Sequence, residues 1–240
     1  QFIKFPPKDF VLEEEDTVET SAKNSLIDFT VRETTRTWQF YVIWVAFAFG
    51  SGAGLMVIGN LASIVKDQIG LPTLTAIAVS ALAIGNGGGR VLYGMLSDKI
   101  GRTNVLIIAF LVQALLISGL FFMGANSILA NPPILLIFVA LIGANYGANL
   151  AVFPALMKVF YGPKNLATNY GIAYTAWGLG GFMVSQLAST IKGATGSFDN
   201  AYILAAVMLI LAAAMTLSLK SPQAKKAAAD KLSMEAVAAD

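Results

Sequence analysis

Six stretches of this 240-residue sequence are long, apolar and almost free of charge, and they constrain the fold more than any other feature. They run over 38–65, 74–97, 104–124, 133–157, 167–191 and 201–219, each 19–28 residues long. A membrane-spanning helix needs about 20 apolar residues. Arg90, in the second stretch, is the one charged residue in all six. In hydrocarbon every backbone N–H and C=O must be bonded within the protein, which leaves helices and closed barrels. The stretches are continuous rather than alternating, so the expected fold is an all-α membrane protein with six transmembrane helices. Pro72, Pro132, Pro133 and Pro222 punctuate the boundaries, and Pro154 is expected to kink the fourth helix.

Composition narrows the chemistry. The chain is 56% hydrophobic and 12% charged, too apolar for an ordinary soluble domain. Its net charge of +2 implies no nucleic-acid partner. It contains neither cysteine nor histidine. That removes Cys/His metal sites and thiol or imidazole catalysis, and no metal or cofactor is expected.

Three regions are expected. Residues 1–37 read as the end of a preceding helix followed by a polar interdomain linker, in a chain cut from something longer. Residues 38–219 form the transmembrane domain, and 220–240 a polar tail that could be a frayed helix. The acidic run Glu13-Glu14-Glu15-Asp16 reads as solvated linker, and 25–36 as a short surface helix. Lys99 and Arg102 lie in one short loop and Lys158 and Lys164 in another, on the side that also takes the lysines and arginines of both chain ends; the opposite side has only Lys66 and Lys192. The positive-inside bias then puts both chain ends in the cytoplasm of a multi-pass protein of the cell (inner) membrane. "GSGAGLMVIGN" (50–60) and "GANYGANLAVFP" (143–154) are weakly alike, as expected of two inverted three-helix repeats.

Arg90 sits in "AIGNGGGRVLYGMLSD" (83–98), eight residues before the charged end at Asp98. That is about 12 Å of depth. A buried arginine costs roughly 2.5–3.5 kcal/mol on insertion scales, and none of the six stretches holds an acid to pair with it. A substrate carboxylate, gripped by two parallel hydrogen bonds, would answer that need. The bland alternative is a snorkelling side chain. Gly85 and Gly89 are four apart and suit close packing of a neighbouring helix. Gly87 and Gly88 leave room beside the guanidinium, and Asn86, one turn earlier, could orient it. Tyr146 and Asn149 on the fourth helix, and Tyr174 and Trp177 on the fifth, are further candidate lining. Asn60 and Gln186 read as contacts between helices.

"GMLSDKIGR" (94–102) matches the loop motif G-x-x-x-D-[RK]-x-G-[RK] of the major facilitator superfamily, with Gly94, Asp98, Lys99, Gly101 and Arg102 at its fixed positions. "GNGGGRVLYGMLSDKIGR", "NYGANLAVFPALMKVFYGPKNLATNYGIAYTAWG" and the "FPP" opening resemble the oxalate:formate antiporter family, close to monocarboxylate transporters. The resemblance implies the C-terminal half of such a carrier, helices seven to twelve, whose N-terminal six-helix half would be its partner. It implies a carboxylate-binding role for Arg90, pocket positions for Tyr146 and Trp177, and a gating role for the loop motif. Dicarboxylate-exchanging relatives carry a lysine in the eleventh helix, but 166–191 has none. Animal monocarboxylate transporters carry an aspartate one turn before the arginine, where this chain has Asn86.

The expected function is therefore secondary active transport of a small organic anion by alternating access. A monocarboxylate such as formate or lactate fits one arginine better than oxalate, with oxalate/formate exchange the variant the family suggests. The expected surroundings are membrane lipid and the other half of the carrier. The alternatives are a major facilitator carrier of another substrate with Arg90 structural, and a non-transporting membrane scaffold or receptor.

Overall fold

A computed structural model describes residues 26–123, 127 and 130–227. These are helical throughout apart from turns and short connections. After a one-turn helix α1 (Val31–Thr34) come six long helices: α2 (Trp38–Ile69), α3 (Thr75–Ile100), α4 (Arg102–Phe121), α5 (Pro132–Tyr161), α6 (Leu166–Thr195) and α7 (Asp199–Leu217). Four of them, α2, α4, α5 and α7, are long and apolar enough to cross a membrane. The other two, α3 and α6, have the length, at 26 and 30 residues, but fall short in apolar character. They carry the glycine clusters, and α3 carries Asn86 and Arg90.

Most helix ends lie a few residues outside the sequence reading. The helix α2 continues through Lys66 and Asp67 to a left-handed cap at Gly70. Pro132 and Pro133 open α5, where a missing N–H costs nothing. Pro154 lies inside α5 without ending it.

Close backbone approach organises the bundle. A Cβ added at Gly85 would lie 2.0 Å from the Ala140 carbonyl oxygen, and one at Gly89 2.2 Å from that of Ala144. The partner helix returns the contact: a Cβ at Gly143 would lie 2.3 Å from the Leu82 carbonyl, and one at Gly147 2.4 Å from that of Asn86. So α3 and α5 meet main chain to main chain through two interlocked G-x-x-x-G faces. A second pair repeats the device, since a Cβ at Gly180 of α6 would lie 2.2 Å from the Ala48 carbonyl of α2. The next most extensive pairings are α4 with α7, α2 with α7 and α4 with α5. This set maps onto itself when α2, α3 and α4 are exchanged for α5, α6 and α7. Between the pairs lies an aromatic core, with Phe47 stacked on Phe153 at 4.1 Å between centroids. Asn60 bridges α2 to α6 by accepting from Ser189 Oγ at 3.1 Å, the helix contact expected of it.

One end of the bundle is closed by a polar clasp. Residues 26–37, the described part of the expected linker, are docked on the bundle. Phe29 N–H donates to the Tyr161 carbonyl at 2.9 Å, and Asn165 and Asn169 each donate to the Phe29 carbonyl at 3.0 Å. From the tail, Gln223 pairs with both backbone groups of Ile27, at 2.8 and 2.9 Å. Lys226 Nζ donates to the Asp28 carbonyl at 2.7 Å and to Glu33 Oε1 at 2.8 Å. Glu33 also closes a capping box with Thr30. The helical part of 25–36 is the single turn α1, and 223–227 of the tail is helical. The acidic run 13–16 lies outside the described residues.

The hydrogen bond from Lys226, followed by that from the Thr30 backbone, lowers the Glu33 carboxyl from 4.5 to about 2. A depressed carboxylate pKa stabilises the fold above its unfolded value, and that contribution is lost as pH falls toward the folded value. Two outcomes follow. Between pH 5 and pH 2 the gap in thermal midpoint between wild type and Glu33→Gln should close. Gly89→Ala should destabilise the bundle by roughly 1–3 kcal/mol, read as detergent thermal unfolding, whereas Gly88→Ala, where a Cβ meets nothing within 4 Å, should leave the midpoint in place.

Candidate functional site

The backbone contact of α3 and α5 fixes where Arg90 stands. Gly147 has no side chain, so the next turn of α3 lies directly on it; a Cβ there would be 3.1 Å from the Arg90 nitrogen. Asn86, one turn earlier, accepts from Arg90 Nε at 3.2 Å. That contact orients the plane of the guanidinium, and among the described residues its terminal nitrogens have no hydrogen-bond partner. Among the described residues no carboxylate pairs with Arg90; the ion pairs are Asp98–Arg102, Asp67–Lys192 and Glu33–Lys226. Close to one turn before Arg90, a Cβ at Gly87 would meet nothing within 4 Å, so the surface there is open; Gly88, equally open, lies on the other flank of α3.

Three of the other expected residues form one wall. Tyr146 on α5 is buried, and its hydroxyl accepts from Trp177 Nε1 of α6 at 2.8 Å. The Trp177 indole stacks on Tyr174, centroids 5.2 Å apart and rings within 12° of parallel. Tyr146, Trp177 and Tyr174 therefore belong to one surface built from α5 and α6, and the Asn86–Arg90 turn of α3 packs on α5 at Gly147, next in sequence to Tyr146. Asn149 is not part of that surface: it is fully buried and bonds within α5 to the Asn145 carbonyl. A Cβ at Gly50 of α2 would lie 2.8 Å from its Oδ1, which has no partner. One turn along α5 from Tyr146, it faces the core.

Tyr93 is absent from the sequence reading of the site. Its hydroxyl donates to Asn145 Oδ1 at 2.7 Å and ties α3 to α5 beside Arg90. Its spacing was the available signal: Tyr93 lies three residues after Arg90 and four after Gly89, on the packed face. An apolar groove of about 580 Å³ is lined by Trp44, Phe49, Phe182, Met183, Leu187 and Met208, and Arg90 is not part of it. Among the described residues no group of three acids could hold a metal ion.

The loop motif folds as a turn of one residue. The helix α3 ends at Ile100, α4 begins at Arg102, and Gly101 between them has φ +92° and ψ 148°. That backbone region is essentially closed to residues with a Cβ. The motif's charges close on each other: Arg102 pairs with Asp98 and donates to Ser97 Oγ. Ser97 Oγ in turn donates to the Gly94 carbonyl at 2.7 Å. Lys99 is exposed.

Comparison with known proteins decides the family. Residues 29–237 match the family described as Major Facilitator Superfamily. The chain belongs to the Major Facilitator Superfamily. This is a superfamily of carriers rather than enzymes, and with its apolar helices the chain is a multi-pass membrane protein. It is 33% identical over 165 residues to the MFS-type transporter YhjX of Escherichia coli, covering 68% of this chain and 40% of that one. It is 28% identical over 192 residues to the oxalate:formate antiporter of Oxalobacter formigenes, covering 78% and 44%. To the minor myo-inositol transporter IolF of Bacillus subtilis it is 32% identical over 171 residues, covering 71% and 36%. The chain thus spans less than half the length of these relatives.

Replacing Gly101 tests the turn. Gly101→Ala forces a Cβ into a glycine-only region and should cost about 1–3 kcal/mol. The drop should appear as a lower thermal midpoint of the full-length protein in detergent, while Lys99→Ala leaves it unchanged.

Proposed function

We propose that this chain is the C-terminal six-helix half, helices seven to twelve, of a secondary active transporter for small organic anions, and that Arg90 binds the substrate carboxylate. The two halves would rock about a central site to give alternating access. The substrate is a monocarboxylate such as formate or lactate, with oxalate/formate exchange as the variant drawn from the antiporter relative. The observation that carries the reading is the free end of Arg90. Its Nε is held by Asn86, no acid pairs with it among the described residues, and Gly87, close to one turn before it, leaves open space. A planar fork of donors held in this way suits a carboxylate. Tyr146, Trp177 and Tyr174 supply a wall, and Asn86 positions the clamp.

The domain scheme goes with this reading: 1–37 is the end of a helix and the linker between halves, 38–219 the transmembrane half, and 220–240 the tail. The exchange of packing partners between the first and last three long helices supports two inverted repeats. Both described ends of the chain meet at the face with Lys158, Lys164, Lys220 and Lys226, which the positive-inside bias makes cytoplasmic in a cell (inner) membrane. The Asp98–Arg102 pair and Gly101 form this half's part of the gate, with Gly94 and Lys99 completing the motif. The other half of the site comes from the N-terminal six helices.

A second reading follows from the myo-inositol transporter relative, which has a higher identity than the antiporter, 32% against 28%, over a shorter stretch, 171 against 192 residues. In it the substrate is neutral and Arg90 is structural. Uptake into proteoliposomes holding the full-length carrier separates the two. With formate, lactate and oxalate offered beside myo-inositol, the anion reading expects flux of one carboxylate. Removing hydrogen bonds to a charged group costs about 1.5–3 kcal/mol. Arg90→Gln should therefore lower uptake at limiting substrate roughly 10- to 150-fold. Inositol uptake that survives Arg90→Gln, with no anion flux, would establish the second reading.

A further inference from the structure

The clasp that ties the start of the described chain to its tail also builds a basic pocket. The pocket has a volume of about 340 Å³ and is lined by Glu33, Arg36, Trp38, Gln39, Lys225 and Lys226, among others. Its one acid is fully engaged. Glu33 Oε2 accepts from Thr30 N and Thr30 Oγ1 at 2.7 and 2.8 Å, and Oε1 accepts from Lys226 at 2.8 Å. Lys226 is equally committed, bonded to the Asp28 carbonyl and seated 4.5 Å over the Phe29 ring. Two cations remain. Among the described residues neither Arg36 nor Lys225 has an ion-pair or hydrogen-bond partner for its side chain. The pocket therefore presents two free positive charges and no free negative one.

Its depth suggests the counterion. Trp38 lines the pocket and Tyr41 follows one turn later, both on the first turns of α2 and both more than half exposed, at 52% and 58%. Exposed Trp and Tyr at the end of a spanning helix sit at headgroup level. Basic side chains at that depth attract anionic lipid.

We propose that Arg36 and Lys225 bind the phosphate of an anionic phospholipid, in a pocket that exists only while residues 26–37 are clasped to 220–226. The lipid would strengthen the clasp, because its phosphate draws together one cation from the segment before α2 and one from the tail. Arg36 would grip two phosphate oxygens through its fork, with Lys225 as a point charge and the Trp38 indole against the glycerol region. The proposal rests on the chain being a membrane protein and is independent of what Arg90 carries.

Thermal unfolding of the purified full-length protein in neutral detergent tests it. The probes are phosphatidylglycerol, phosphatidylcholine and soluble glycerol 3-phosphate. Phosphatidylglycerol should raise the midpoint by roughly 2–4 °C over phosphatidylcholine, with glycerol 3-phosphate giving no shift at matched concentration. Arg36→Gln with Lys225→Gln should abolish the shift. Arg36→Lys with Lys225→Arg should keep most of it, as should Lys66→Gln, which removes one positive charge at the other end of α2. If the double Gln variant does not fold, retention of phosphatidylglycerol through purification by the single variants decides the matter, each being expected to retain less than wild type. An equal shift in the double Gln variant would overturn the proposal, as would an equal effect of glycerol 3-phosphate, which would make the ligand a free phosphate. A shift that emerges only after neutralising Glu13, Glu14, Glu15 and Asp16 would overturn it too, by making that acidic run the occupant.

Discussion

Gly85 and Gly89 place α3 against the carbonyls of Ala140 and Ala144, and Gly143 and Gly147 place α5 against those of Leu82 and Asn86. In lipid there is no hydrophobic force between helices, because the tails are as apolar as leucine. Helix pairs are held by close van der Waals packing and polar bonds. A pair that meets main chain to main chain has little freedom to rotate. The azimuth of α3 is thus set by which residues lack a side chain, and that azimuth holds Asn86 and Arg90 beside the Tyr146 turn of α5. A bulkier residue at any of the four glycines would separate the helices and move the Asn86–Arg90 turn of α3 off α5.

The electrostatics follow from that placement. A guanidinium stays charged under all physiological conditions, so an arginine at this depth of a spanning segment, exposed on the described chain, must meet an anion or water. The described part of the chain provides one amide, from Asn86, and no acid. This differs from the treatment of charges at the two ends of the bundle, where Asp98 meets Arg102, Asp67 meets Lys192 and Glu33 meets Lys226. Charges with structural duties are paired within the chain. Arg90 is left open, close to one turn after Gly87, whose outer face is bare.

Much of this was legible in the sequence. Hydropathy and length placed all six long helices along the sequence, and four of them are long and apolar enough to cross a membrane. Gly85 and Gly89 announced a close contact by their spacing. The reciprocal glycines Gly143 and Gly147 were visible only as part of a weak repeat, because spacing does not say which helix lies opposite. Direction around a helix was the main loss. Asn149 and Tyr146 are three apart, close enough to read as one surface, yet Asn149 turns to α2 while Tyr146 reaches Trp177. Tyr93 read as ordinary apolar sequence until its partner Asn145 was known. The clasp was invisible for another reason: Gln223 bonds Ile27 across 196 positions through a side-chain amide that carries no local signal. The ends of α2 and α6 extended further than the apolar runs, because Lys66, Asp67 and Lys192 can lie in helix beyond the lipid.

The central claim is that Arg90 is a carboxylate clamp, and equilibrium binding tests it without the complications of flux. Labelled formate, lactate and oxalate would each be titrated against the purified full-length protein, alongside Arg90→Lys and Arg90→Gln forms of equal thermal stability. The account predicts that one carboxylate binds, that the lysine form binds it roughly tenfold more weakly because the charge remains and the fork is gone, and that the glutamine form binds it at least as weakly again. Wild-type affinity in the glutamine form would contradict the account and leave Arg90 a structural residue.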